Sequence, residues 1–455
     1  MSGHAGLVLR DAEVIGAGVV DVLVRDGVVA VVGAGLAGDE VIDCGRGALL
    51  PGLHDHHVHL LATAALAHSV RCGPPEVRDA RQLQQALRSA PRTAGWIRGI
   101  GYDESVAGHL DAQVLDRLAP DAPVRVQHRS GALWVLNSAG LAAVGAAAAR
   151  ADGIECDGTG RPTGRLWRLD GWLGERLGPR PRADLAPLSR RLAGYGITGV
   201  TDATPGLSAP ARAALSDGTL AQRLTLLGDP GGTAPVKIVV PDHELPSWDE
   251  LTGRIRAARP RPVALHAVTR ASLVLSLAAL ADLGPVAGDR IEHAAVAPPD
   301  TVRWMARLGV AVVTQPSLPA LRGDHYLDRA DAEDLPYLWP FRSLADAGVA
   351  VGCSSDAPYG DLDPWRSMAA AAERRAPSGR QVAPAERVST RAALRGYLSR
   401  AEEPGGPERR VAAGSPADLA LLDRPLAAAL AGPLDVTVRA TFVGGRLLAA
   451  GEGGP

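Results

Sequence analysis

Between Leu49 and Leu60 the chain sets four histidines and an aspartate into one short segment, Leu49-Leu50-Pro51-Gly52-Leu53-His54-Asp55-His56-His57-Val58-His59-Leu60. As an extended strand this run has a period of two, so Asp55, His57 and His59 face one way while His54, His56 and Val58 face the other. Two imidazoles on one face can share a metal ion. A His-x-His pair that follows Pro-Gly with an aspartate in phase is hard to explain by packing alone. His57 and His59 are therefore candidate metal ligands, and His54 and His56 are expected to support them or to belong to the core.

The second constraint is a lysine. Of 48 basic side chains counted as Lys plus Arg, only Lys237 is not an arginine. It lies in the apolar, β-branched run Val236-Lys237-Ile238-Val239-Val240, which reads as a buried strand where a lone ammonium is costly. A desolvated amine with a lowered pKa can be neutral and nucleophilic, and can capture carbon dioxide as a carbamate. Such a carbamate is an anionic oxygen ligand able to bridge two metal ions, a role closed to guanidinium. The other reading is one lysine surviving by chance in an arginine-biased chain.

Three further strand-like segments carry one candidate each. Val263-Ala264-Leu265-His266-Ala267-Val268 sets a histidine in a short apolar run, and Arg290-Ile291-Glu292-His293-Ala294 follows the Gly288-Asp289 turn with another. Ala350-Val351-Gly352-Cys353-Ser354-Ser355-Asp356-Ala357-Pro358 ends a β run with an aspartate. Each has a plain alternative: a core histidine for His266 or His293, a helix N-cap for Asp356. Taken together, the imidazoles, the carboxylate and the lysine make a nitrogen- and oxygen-rich set suited to zinc or a similar divalent ion.

With these residues in place the chain resembles the amidohydrolase superfamily, metal-dependent hydrolases built on a distorted (β/α)8 TIM barrel. Pro51-Gly52-x-x-Asp55-x-His57-x-His59 matches the first barrel strand, Lys237 the fourth, His266 the fifth, His293 the sixth and Asp356 the eighth. Within the superfamily it looks most like the family-3 branch, which includes N-substituted formamide deformylases. The supporting phrases are Asn137-Ser138-Ala139-Gly140-Leu141, Gly196-Ile197-Thr198-Gly199-Val200-Thr201-Asp202, Gln315-Pro316-Ser317 and Ser355-Asp356-Ala357-Pro358. The resemblance implies that His57, His59 and Asp356 hold one metal ion, that His266 and His293 hold a second, and that carboxylated Lys237 bridges them. The two divalent ions are expected to be zinc, with manganese or iron as alternatives, and carbon dioxide to enter as the Lys237 carbamate. Asp356 is the expected general base and acid. Candidate substrate contacts are Tyr102, Arg129, Trp134 and Gln315.

The implied reaction is hydrolysis of a C–N bond, in an amide, an N-formyl or N-acyl compound or a cyclic amide, by metal-activated hydroxide. The alternative is a mononuclear aminohydrolase, a deaminase acting on a nucleobase-like ring. Such enzymes typically need a glutamate three residues after the fifth-strand histidine, where this chain has Thr269. The chain also departs from its branch after Lys237, which leads to Pro241-Asp242-His243 rather than Asp-Gly, and at Ala132 and Val268-Thr269. Those changes bear on substrate-orienting contacts and leave the candidate metal ligands untouched.

Length and composition agree with an α/β enzyme. A chain of 455 residues fits a barrel plus a smaller domain. A formal net charge of −2 implies no strongly basic face for nucleic acid, so a small-molecule substrate is expected, with neither nucleic acid nor membrane as partner. A homodimer is compatible with this. Residues 1–50 and 402–455 alternate apolar stretches with Gly and Asp-Gly turns, and are expected to form one small β-sandwich domain from both termini. Residues 51–401 are expected to form the hydrolase barrel, with an insertion at about 61–195. In the barrel region helical stretches such as 275–283 and 300–308 alternate with short strands. Cys44, Cys72, Cys156 and Cys353 show no CxxC pairing, and Met1 to Leu9 has no basic region followed by an apolar core, so the expected location is cytoplasmic.

Overall fold

Turn chemistry explains how the two ends of the chain become strands. Asp26 and Gly27 have φ of +50° and +78°, and Gly444 and Gly445 have +56° and +75°. Positive φ at both central residues is what a tight two-residue hairpin requires. In the computed structural model, which describes residues 6–450 apart from 75, 120, 150, 178–183 and 243, these turns join Gly18–Arg25 to Val28–Gly33 and Val438–Val443 to Arg446–Ala450. Residues 1–5 of the amino-terminal segment, 178–183 of the expected insertion and His243 lie outside the described set. Both chain ends share one eight-stranded sheet: Ala48–Pro51 pairs antiparallel with Leu419–Leu422 and parallel with Leu7–Val14. Leu9, Val22, Leu49, Leu419, Leu421 and Phe442 form its buried core.

The chain forms two compact units, one of Met1–Leu61 with Asp184–Pro455 and the other of Ala62–Ala183. Among the described residues the first unit also holds two parallel sheets, one of β1 (Leu53–Val58), β2 (Ile197–Asp202) and β3 (Arg223–Leu226), the other of β4 (Val236–Val239), β5 (Val263–Ala267), β6 (Arg290–His293), β7 (Ala311–Thr314) and β8 (Val351–Cys353). They are hydrogen-bonded as β3-β2-β1 and as β4-β5-β6-β7-β8. Beyond β8, Asp356 N–H donates to His57 C=O at 2.8 Å and His59 N–H to Ala357 C=O at 2.9 Å. Helices separate successive strands from β4 to β7, among them Arg270–Leu283 and Pro299–Leu308. In the first of these Leu273, Leu277 and Leu280 recur at helical spacing and are fully buried. The α/β mix and the parallel pairing fit a TIM-barrel-type fold. Among the described residues, no helix is long and apolar enough to cross a membrane.

The second unit is built on a seven-stranded mixed sheet that includes Trp96–Tyr102, Val124–His128, Leu133–Leu136 and Pro162–Trp167. Its Asn137 explains one phrase of the sequence structurally. The fully buried side chain caps the helix Ser138–Ala143: Oδ1 accepts from Gly140 N–H and Val124 N–H, and Nδ2 donates to Ala122 C=O at 2.9 Å. Asn137→Ala strands these groups in the core and is expected to lower stability by about 3 kcal/mol. Urea unfolding checks this, and a loss under about 1 kcal/mol contradicts it.

Candidate metal centre

Every residue of β1 is buried, and the alternation read from sequence is visible in its partners. On one face His54 Nε2 meets Thr201 Oγ1 at 2.9 Å and His56 Nε2 meets Ser399 Oγ at 2.9 Å. Burial holds His54 neutral, its pKa pulled down to about 3. On the other face Asp55 accepts from Ser355 N–H at 3.0 Å and from Ser355 Oγ–H at 2.5 Å, which ties β1 to the chain beyond β8. Burial pushes the Asp55 carboxyl up to about 6. His57 and His59 share this second face, and their Nε2 atoms lie 3.6 Å and 3.3 Å from Asp356 Oδ1. One ligand atom from each of His57, His59 and Asp356 lies within 4.8 Å of the others, which makes them a candidate metal site.

Two positive φ angles position residues that strand parity alone does not. His293 has φ +75° and Asp356 φ +51°, left-handed conformations that are costly for such side chains and that cluster at functional sites. The turn at His293 breaks the alternation of β6 and brings its Nε2 to 2.8 Å from His266 Nδ1. The His57 and His293 ring centroids are 5.0 Å apart, which joins the two groups. Burial would raise the Asp356 carboxyl, but the hydrogen bond from His59 and the electrostatic attraction of the His57, His293 and His59 rings outweigh it, so the group sits well below the usual carboxylate range.

Hydrogen bonds fix which ring nitrogens carry protons. Gln315 Nε2 donates to Ser354 Oγ at 2.9 Å, so its Oε1 is left to accept from His293 Nδ1–H at 2.7 Å. Glu292 Oε2 accepts from His57 Nδ1–H, and Thr204 Oγ1 lies 3.0 Å from His59 Nδ1. His57 thereby turns an unprotonated Nε2 lone pair toward the centre, the arrangement seen where a carboxylate orients a metal-binding histidine, while the unprotonated Nε2 of His293 accepts from His266 Nδ1–H at 2.8 Å. Burial lowers the pKa of His57 to about 3 and lowers that of His266 and His293 too, keeping these rings neutral.

Lys237 sits on β4 in register with Ala264, next to the strand that carries His266. Its Nζ is buried and, among the described residues, has no hydrogen-bond partner. Burial pulls its pKa down to about 8 against the opposing charges of Glu292 and Asp356. The neutral amine is therefore reached far more readily near neutral pH than in an ordinary lysine.

Glu292 is the residue that sequence reasoning missed. It is fully buried, holds His57 and pairs with Arg290 Nε at 2.6 Å. Burial would raise its pKa, yet Arg290, His57 and Lys237 hold it well below the ordinary value. The available signal was the i, i+2 pair Arg290 and Glu292 inside a strand, overshadowed by the adjacent His293. Glu292→Gln is expected to weaken metal binding about 10- to 100-fold. Chelator competition measures this, and unchanged affinity contradicts it.

Of the sequence-derived substrate contacts, Gln315 stands beside His293 in the first unit. Tyr102, Arg129 and Trp134 belong to the second. There Tyr102 Oη donates to Gly108 C=O at 2.7 Å, Arg129 pairs with Asp103 at 2.7 Å, and Trp134 Nε1 donates to Asp170 at 2.8 Å.

Comparison with known proteins shows the family. The profile of the amidohydrolase family matches residues 40–449. The chain is 27% identical to an N-substituted formamide deformylase of Arthrobacter pascens, over 94% of each chain. It is 25% identical to the putative amidohydrolase YtcJ of Bacillus subtilis, over 78% of this chain and 80% of that one. A crystal structure of an uncharacterized metal-dependent hydrolase from Pyrococcus horikoshii superposes with a TM-score of 0.73 at 19% identity, covering 92% of this chain and 97% of that one. The chain belongs to the amidohydrolase family, on its family-3 branch, and is a metal-dependent hydrolase acting on carbon–nitrogen bonds.

Proposed function

We propose that this enzyme hydrolyses the C–N bond of a small N-acyl or N-formyl compound, or of a cyclic amide, at a centre of two divalent ions. His57, His59 and Asp356 would hold one ion, His266 and His293 the other, with Lys237 as a carbamate between them. The observation that carries this reading is Lys237 Nζ, buried without a hydrogen-bond partner among the described residues beside inward-facing neutral imidazoles. A donor set of nitrogens and carboxylate oxygens suits zinc, with manganese or iron as alternatives. When bound, such ions lower the pKa of a water molecule and polarise the scissile carbonyl.

The chain's own residues supply the rest. Asp356, held ionised by its histidine neighbours, accepts the proton that water loses and delivers it to the leaving nitrogen. Glu292, Gln315 and Thr204 keep the rings in place. Thr269, which stands where a ring deaminase typically has its glutamate, is taken up as a helix cap, accepting from Ser272 N–H and donating to Asp242. That favours acyl hydrolysis over ring deamination. The full-length similarity to a formamide deformylase supports an N-formyl group as one candidate.

The same proposal has the eight parallel strands close as a distorted (β/α)8 barrel, and the sheet of both chain ends form a small β-sandwich domain. It covers residues 1–50 and 402–455 as that domain and 51–401 as the barrel. Tyr102, Arg129, Trp134 and Gln315 remain its candidate substrate contacts. It also places the enzyme in the cytoplasm, acting on a small molecule rather than on nucleic acid or membrane, in an assembly compatible with a homodimer.

The test is a screen of N-formyl, N-acyl, cyclic imide and aminopurine or pyrimidine compounds against metal-loaded protein. Hydrolysis of the acyl, formyl or imide C–N bond is expected. Ammonia release from the ring compounds alone overturns the proposal in favour of a mononuclear deaminase.

A further inference from the structure

We infer that Arg322 anchors an anionic end of the substrate, so that the compound hydrolysed carries a carboxylate besides its scissile C–N bond; this rests on the hydrolase reading above. Arg322 lies on the helix Leu318–Arg329, which begins just after Gln315. Its guanidinium sits over the Tyr359 ring, 6.0 Å from the centroid. Tyr359 in turn stands edge-on to His59, with ring centroids 5.8 Å apart, and its N–H donates to Asp356 C=O at 2.8 Å. One aromatic ring therefore separates this cation from the candidate metal ligand His59.

The guanidinium is half-buried, and among the described residues its ring contact is its only interaction. That contact uses its charge but none of its N–H donors. Acids on the same helix and in the facing loop are engaged elsewhere. Asp324 accepts from Ser378, Asp328 pairs with Arg380 at 2.7 Å, and Asp361 pairs with Arg366 at 3.0 Å. A planar fork of donors, partly desolvated and without a protein carboxylate, matches a carboxylate supplied by a ligand.

The test uses matched substrates, N-formyl ω-amino acids of three to six carbons and their primary carboxamides, which differ only in the charged end. For the wild-type enzyme, kcat/KM for the best acid is expected to exceed that of its carboxamide by about tenfold or more, carried by KM, as one charge-assisted pair allows. In Arg322→Met this ratio collapses toward one, and Arg322→Lys restores part of it. Arg322→Gln serves as the second charge-free variant should the methionine variant fold poorly. Benzoate binding measured by calorimetry gives a readout apart from turnover, expected to be about tenfold weaker in the charge-free variant. Equal use of acid and carboxamide by the wild type, or a preference that survives removal of Arg322, overturns this inference and leaves the hydrolase reading standing. Failure of the wild type to cleave any acyl, formyl or imide compound overturns the hydrolase reading and this inference with it.

Discussion

Lys237→Arg should retain the fold and the positive charge yet lose the second metal ion, with turnover falling on the order of 10³-fold or more. Guanidinium neither sheds its proton at neutral pH nor captures carbon dioxide, so it cannot supply bridging oxygens. It is also larger than an ammonium, and Nζ already sits in a buried position without a hydrogen-bond partner among the described residues. Lys237→Ala should be inactive as well, but partly rescued by short carboxylates added together with metal, since these bring the missing oxygens. A crystal structure of the native protein should show the added carboxyl group on Nζ. If Lys237→Arg keeps both ions and normal turnover, the lysine is there by chance and the bridged centre is wrong.

Asp356→Asn removes a ligand charge and the proton acceptor at once, and is expected to lower kcat on the order of 10³- to 10⁴-fold while leaving the fold intact. The main-chain bond from Asp356 N–H to His57 C=O does not depend on the side chain, so the segment should hold its place. Steady-state kinetics on the best compound from the screen measures the effect. Activity within about tenfold of wild type contradicts the assignment of Asp356 as base.

Much of this site was legible because strand geometry is simple. A period of two separates His57 and His59 from His54 and His56, and the structure gives the two pairs different partners. Asp-Gly and Gly-Gly turns marked the hairpins at both ends of the chain, and Ala-, Leu- and Arg-rich composition marked helices at 275–283 and 300–308, which the structure shows as Arg270–Leu283 and Pro299–Leu308. The rest depended on features that no periodicity carries. The left-handed φ of His293 breaks the alternation of its strand, so its meeting with His266 follows from a local backbone conformation. Glu292 acts through a contact 235 residues away in sequence, which composition does not reveal. The compact second unit spans Ala62–Ala183, and the helix Ala186–Gly194 precedes β2 in the first unit.

The binuclear centre is tested most directly by counting metal. Protein expressed with zinc or manganese supplementation and freed of loosely bound ions should carry about two divalent ions per chain by elemental analysis, with activity rising and falling with the second ion. A stoichiometry fixed at one ion with full activity would contradict the account and favour a mononuclear enzyme.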